Sequence, residues 1–276
     1  MDDRQPRPRA AGGETGPGPA PGPLWENPPA PPRPGLTRAA IVGAAIDIAD
    51  REGLDAVSIR RVAAVLGARP MSLYTHVPSK DDLLDLMTDR VAGEAVLAGP
   101  LPVDWRAAMT AIAARGREVG LRHPWMLRSV VNRGHIGPNA VRHIEQSFEA
   151  LTGLRVPTSR KIEILRAVDT FVVGHILGEV SARKRAGRHL CADGPAAGGP
   201  AADGSAAGGP AADPRWQAVV EHLHRLAASG RHPALAEVLT EPLILSGEDA
   251  DRAFAQGLDW LLSGIADTLP PNATAA

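Results

Sequence analysis

Cysteine, tyrosine, phenylalanine and lysine are nearly absent from this chain of 276 residues: one Cys, one Tyr, three Phe and three Lys. A lone Cys191 excludes an intrachain disulfide and fits a reducing compartment. With aromatics at 3% and hydrophobic residues at 44%, the core must be filled by Leu, Val, Ile and Ala. No long alternating run of β-branched and aromatic residues occurs, so helices are favoured over a β-sandwich. No uninterrupted apolar stretch reaches membrane-spanning length, and the N-terminus shows no signal-peptide core, so a soluble cytoplasmic protein is expected. The formal net charge of -1 argues against blanket nucleic-acid coating. DNA binding would have to come from a local basic face. Arginine so outnumbers lysine, amid abundant Ala, Gly and Pro, that a G+C-rich coding bias explains it without reference to function.

Such a face is present. Between Ala56 and Lys80 there are four cations (Arg60, Arg61, Arg69, Lys80) and no acid. Two short helical patterns lie in this segment, separated at Gly67. A small helix, a tight turn and a second helix with exposed hydroxyls and cations can deliver side chains to the DNA major groove.

Residues 1–36 hold 11 prolines and 6 glycines with four cations against four acids, a composition expected to stay disordered. A DNA-tracking arm is the functional alternative for this tail. A second low-complexity stretch, 191–214, contains the decapeptide ADGPAAGGPA followed by ADGSAAGGPA. It has no apolar face to stack and is expected to be a flexible loop inside a folded region.

From 37 to 98 the pattern predicts a first folded unit. Thr37 is placed to cap a helix lined by Ile41, Ala45 and Ile48 and ending at Gly53. Ser58 caps the next, with Val57 and Val62 as a hydrophobic staple. Pro70 suits the first turn of a third helix, and Ser79-Lys80-Asp81-Asp82 opens a fourth carrying Leu84, Met87 and Val91. Beyond Pro102 further helices are expected. Ile162 to Val180 reads as buried on two sides. Ser246-Gly247-Glu248-Asp249 is a capping box ahead of Phe254, Leu258, Leu261 and Ile265, a seam suited to a partner helix. Gly174 and Gly178, one turn apart, would permit close approach of a facing subunit.

Several spaced motifs now stand in one order: Ile41-x-x-Ala44-Ala45, Gly53-Leu54-x-x-Val57-Ser58-Ile59-Arg60, Val62-Ala63-x-x-Leu66-Gly67, Leu73-Tyr74-x-His76-Val77 and Ser79-Lys80-x-x-Leu83-Leu84. This unit resembles the DNA-binding domain of the TetR family of bacterial regulators. The C-terminal part is similar to the tetracycline-repressor-like effector domain through His123-Pro124-Trp125, Gly137-Pro138-Asn139-Ala140 and Phe254-x-x-Gly257-Leu258-x-x-Leu261-Leu262-x-Gly264-Ile265. The resemblance implies an all-α homodimer. Residues 37–98 would form the helix-turn-helix domain, with the motif at 58–77, and residues 99–270 the effector-binding and dimerisation domain. Such a protein binds a palindromic double-stranded operator and releases it when a small molecule occupies the C-terminal domain.

The same likeness assigns Pro70, Met71, Ser72, Tyr74 and Thr75 to the groove-facing surface, with Arg60 reaching a base from the preceding helix beside Ser58. Arginine can grip guanine bidentately, hydroxyls reach either base type, and Met or Pro can pack on a thymine methyl. Tyr74, His76 and Lys80 look like phosphate contacts that fix register. Arg69 stands where many family members carry a small or hydroxylated residue, which makes it an added DNA contact. In the C-terminal part His123, Trp125, Asn132, His135, Phe148, Phe171 and His175, with His143 and Glu179, supply the polar and aromatic groups a ligand cavity needs.

No cofactor and no metal site is expected. His222 and His224, two apart on a helix, point to different sides, and Cys191 has no fixed histidine partner. Two other function classes compete with a ligand-responsive repressor. An architectural DNA-binding protein without inducer should be more basic. An enzyme with its site among the C-terminal histidines should show a nucleophile–base or metal-ligand spacing, and none is visible.

Overall fold

The computed structural model describes residues 36–127, 136–192, 214–239 and 247–273, and the helices among them form two packed clusters. The tail at 1–35, Asn132, His135, Ser246 and the decapeptides from 193 to 213 lie outside the described residues.

Local sequence signals set the ends of the first helices. Helix α1 (Arg38–Glu52) begins where the Thr37 hydroxyl accepts the Ala40 N–H at 3.1 Å, and it buries Ile41, Ala45 and Ile48. A 3-10 turn at Leu54–Ala56 leads to α2 (Ile59–Val65), whose Ser58 cap accepts the Arg61 N–H at 3.2 Å. Val57 and Val62 are both fully buried, as a staple requires. The chain reverses at Gly67 with φ of 62°, a left-handed conformation that a β-carbon would strain. Helix α3 (Pro70–Tyr74) follows, anchored by buried Leu73 and, just beyond it, Val77. Helix α4 (Lys80–Glu94) starts at Ser79, whose hydroxyl accepts the Asp82 N–H at 3.0 Å and donates to the Asp82 carboxylate at 2.6 Å. Leu83, Met87 and Val91 bind it to α1–α3, and Val119 and Trp125 from further along the chain complete this cluster.

The second cluster is built on α5 (Trp105–Arg122), capped by Asp104, and α7 (Thr158–Ala192), the two most closely packed helices. Helix α6 (Pro138–Glu149) lies mainly against α4, while α10 (Gly247–Asp267) lies on α7. Helices α8 (Pro214–Ala228) and α9 (Pro233–Val238) pack mainly on each other, and none of their described side chains is buried.

Three expectations need correction. Helix α7 continues through Ala192, so Cys191 belongs to its last turn and not to the low-complexity loop. Within one chain α7 is buried on one side only: Ile164, Val168, Val172 and Ile176 face the core, while Ile162 and Leu177 are exposed. The seam on α10 also points inward, with Phe254, Leu258 and Leu262 buried in the chain's own core. Leu261 and Ile265 are partly buried there, and Trp260 is the outward residue at 69% exposure. The register is the same, but the face meets α5 and α7 of its own chain. A β-carbon at Gly174 or Gly178 would meet nothing within 4 Å, so these glycines serve no close approach inside the chain.

Candidate functional site

Most of the sequence-predicted DNA residues are accessible, on and around α3. Ser58, Arg60, Arg69, Pro70, Tyr74, Thr75 and Lys80 are exposed, Ser72 is half-buried, and Met71 is 74% exposed. Apolar side chains so open to water are uncommon on a closed surface. Arg69 occupies the N-cap position of α3 yet makes no capping bond with its side chain, so Pro70 at the first position sets the start of the helix. The Thr75 hydroxyl donates to the Ser72 carbonyl at 2.8 Å, fixing its orientation at the end of α3. Arg61 is paired with Glu52 at 2.6 Å.

His76 departs from the expected set. Its side chain is only 4% exposed and its Nδ1 is buried with no hydrogen-bond partner among the described residues. Its carbonyl instead accepts from Arg38 Nε at 3.2 Å, tying the end of α3 to the start of α1. The ring thus lies beneath the surface that Tyr74 and Lys80 share.

His123 and Trp125 are also relocated. They sit where the chain after α5 packs on the first cluster, and the ring contacts of Phe171 and His175 do not include them. Trp125 Nε1 donates to Asp50 Oδ1 at 2.7 Å, and His123 Nδ1 meets the same oxygen at 2.8 Å. His123 Nε2 lies 3.3 Å from Glu94, and Arg122 pairs with Glu94 at 2.7 Å. One short stretch after α5 therefore binds the ends of both α1 and α4. The physical reason is satisfaction of buried polar groups, since an indole N–H and an imidazole only 4% exposed need partners. Asp50 and Glu94 supply them, and neither was legible as a partner because each is far away in sequence.

A second link joins α4 to α6. Asp89, nearly buried, accepts the Asn139 N–H at 2.9 Å, the Ala140 N–H at 3.2 Å and Asn139 Nδ2 at 3.0 Å. A carboxylate at a helix N-terminus satisfies orphan N–H groups and complements the dipole. A β-carbon on Gly137 would stand 2.3 Å from Asp89 Oδ1, so the approach requires glycine there.

Phe171 and His175 do meet. Their ring centroids are 4.5 Å apart, and Phe254 of α10 lies 5.6 Å from the first and 5.4 Å from the second. The Arg117 guanidinium rests 4.9 Å above the Phe254 ring and forms a two-point ion pair with Glu179 at 2.6 and 2.9 Å. Glu179 raises the pKa of Arg117, and Asp251 adds a third bond at 2.6 Å. Arg117 was not singled out in the sequence, because nothing in its local context marks an arginine as paired. Phe148 is half-buried on α6.

His143, on α6, has a buried Nδ1 without a partner among the described residues. Burial holds its pKa below the ordinary 6.5, opposed by the nearby Asp169 carboxylate. A histidine whose folded pKa is depressed binds fewer protons when folded than when unfolded. Its contribution therefore costs no stability above 6.5 and destabilises as pH falls below that value. Urea titrations from pH 7.5 to 5 should show the native protein losing more stability than His143→Gln; parallel curves would remove the effect from His143.

Comparison with known proteins agrees with this geometry. Residues 41–87 match the family described as bacterial regulatory proteins, tetR family, and residues 99–269 match the tetracyclin repressor-like C-terminal domain. The chain is 36% identical over 251 residues to an HTH-type transcriptional regulator of Saccharopolyspora erythraea, covering 90% of this chain and 93% of that one. It is 32% identical over 246 residues to the HTH-type transcriptional repressor DrrR1 of Streptomyces coeruleorubidus, covering 88% and 83%. Among solved structures, the TetR family protein ActR of Streptomyces coelicolor in complex with actinorhodin superposes with a TM-score of 0.63 at 26% identity, over 87% of this chain and all of that one. Among the described residues no helix is long and apolar enough to cross a membrane. An all-helical chain with an accessible helix-turn-helix band and matches along nearly its whole length belongs to the TetR family of bacterial transcriptional regulators, with a tetracycline-repressor-like C-terminal domain.

Proposed function

We propose that this regulator is a cytoplasmic homodimeric repressor that reads a palindromic operator with α3 and is released by an aromatic small molecule. Residues 37–98 are its DNA-reading unit and residues 99–270 its effector and dimerisation unit. The observation that carries the DNA reading is the exposed band of Arg60, Arg69, Met71, Tyr74 and Lys80 on a segment without acids. In this reading Arg60, Pro70, Met71, Ser72 and Thr75 face bases, while Ser58, Arg69, Tyr74 and Lys80 grip phosphate. His76 supports α3 from below.

The effector reading rests on Phe171, His175 and Phe254 gathered between α5, α7 and α10, with Phe148 on the neighbouring α6. Clustered aromatic rings, tilted and edge-on to one another, suit contact with an aromatic ligand. The likeness to ActR, whose structure holds actinorhodin, points to the same chemical class. His123 and Trp125 are left out of this site because the junction occupies them. Subunits pair through the outward faces of α7 and α10, where Ile162, Leu177 and Trp260 are exposed and Gly174 and Gly178 are open. The protein acts by binding and carries out no catalysis. What supports this is that its relatives are regulators and that the His123 and Asn139 side chains are engaged in structural pairs.

Binding assays against a panel of operator variants test the assignment. Tyr74→Ala and Lys80→Ala should weaken all operators alike, because phosphate contacts position without specifying. Arg60→Ala and Ser72→Ala should relax preference at one base pair of each half-site, by about 1–3 kcal/mol. Equal discrimination by all four variants would remove these roles.

A further inference from the structure

Two rows of side chains meet at the aromatic cluster. On α7, Phe171, His175 and Glu179 follow at intervals of four residues and share one side of the helix. On α10, Asp251, Phe254 and Gly257 follow at intervals of three. The rows run in opposite directions. Gly257 stands against the Phe171 ring, Phe254 touches Phe171 and His175, and Asp251 shares Arg117 with Glu179. The cluster therefore has an aromatic end and an ionic end, about 12 Å apart along α7. Arg117 of α5 belongs to both, since its guanidinium lies 4.9 Å from the centre of the Phe254 ring.

The fork of Arg117 is only partly used. Nε donates to Glu179, and Nη2 donates to both Glu179 and Asp251, while Nη1 has no acceptor among the described residues. An arginine so placed keeps donors in reserve, because guanidinium N–H groups point in fixed directions and cannot all turn to the same acids. The two acids also differ. The Glu179 side chain is 11% exposed and held at two points, whereas that of Asp251 is 76% exposed and held by one bond. An ion pair open to water contributes little and exchanges readily. Glu179 is thus the fixed partner and Asp251 the replaceable one. At the other end Gly257 gives the rings their room, for a β-carbon there would stand 3.0 Å from Phe171 and 3.8 Å from His175 Nε2.

We propose that Arg117 is the polar anchor of the effector site and selects aromatic ligands that carry an acidic oxygen, a carboxylate or phenolate, at one edge. The ligand's rings lie against Phe171 and His175, and its oxygen takes the open Nη1 in competition with Asp251. Glu179 stays bound and holds the guanidinium in place. Charge-assisted hydrogen bonds of this kind are the strong ones, so charge becomes a basis of selection beside ring shape. The inference rests on the aromatic-effector reading and adds to it the charge of the ligand.

The probes are anthraquinone-2-carboxylate and its neutral carboxamide, alike in shape and different in charge. Calorimetric titration of the full-length protein should show the acid bound more tightly by about tenfold or more, as a hydrogen bond to a charged group supplies. Arg117→Gln should erase that preference. Because this exchange leaves the nearly buried Glu179 unpaired, Asp251→Asn gives a second measurement at an exposed position. It removes the competing acid and should raise the acid-to-amide preference by about threefold. Gly257→Ala crowds the rings but leaves the fork intact, so it should weaken both probes alike. If neither probe binds the native protein, the aromatic-effector reading falls and this inference with it. If both bind equally, if the preference survives Arg117→Gln, or if Asp251→Asn leaves it unchanged, the role of Arg117 is overturned while the aromatic reading stands.

Discussion

Trp125→Ala is expected to destabilise the protein by about 3–5 kcal/mol, the largest stability loss of any single exchange argued for this chain. The indole is 4% exposed, packs in the cluster formed by α1–α4, and donates to Asp50. Truncation leaves a cavity at the one place where the chain after α5 enters that cluster. It also leaves Asp50 with His123 alone. Because Trp125 ties the stretch after α5, a helix of the second cluster, into the first, the loss should separate them. Urea unfolding of the native protein should be one transition, and the variant should show an earlier one for the DNA-reading helices. Trp125→Phe restores much of the volume without the N–H and should fall between the two. A variant that unfolds with the native midpoint in a single transition would remove Trp125 from the junction.

The parts of this molecule that were legible in its sequence are those determined locally. Thr37, Ser58 and Ser79 cap the helices they precede because a hydroxyl next to a helical run has its target N–H three residues away. Gly67 and Pro70 mark the turn for reasons internal to one or two residues. What the sequence hid is pairing at a distance. The His123-Pro124-Trp125 motif was visible as unusual, and aromatic plus imidazole was read as a ligand wall. Its partner Asp50 lies 73 residues from His123, and no periodicity connects them. The seam on α10 failed in a related way. An apolar stripe specifies that a helix packs but not against which chain, so Phe254 and Leu258 could be read as facing a partner while they face α7 at home. His76 shows the same limit: motif order gave its place at the end of α3, and only packing shows that its ring turns inward.

Operator DNA is expected to weaken effector binding by the same factor by which effector weakens operator binding, a coupling typically of about 5–150-fold. Two α3 helices on one dimer must stand about 34–36 Å apart to meet successive major grooves. A modest change in that separation abolishes simultaneous contact. The structure supplies links through which a ligand near Phe171 and His175 would act on the separation. Helix α7 carries both rings and the outward Ile162 and Leu177, so under the proposed function it would face the ligand and the second subunit together. Helix α6 is clamped to α4 by Asp89, and α4 begins at Lys80, one of the residues proposed to contact DNA. A ligand that binds the splayed arrangement better than the DNA-competent one shifts the population by that difference alone, however tightly it binds. Asp89→Ala should then leave ligand affinity in the absence of DNA nearly unchanged while reducing the coupling, since it cuts the tie and not the aromatic site. Titrating an aromatic probe such as actinorhodin with and without operator, on native protein and Asp89→Ala, measures both factors. Identical affinities in the two native titrations would exclude release by this ligand, and full coupling in the Asp89→Ala protein would show that the signal reaches α4 by another route.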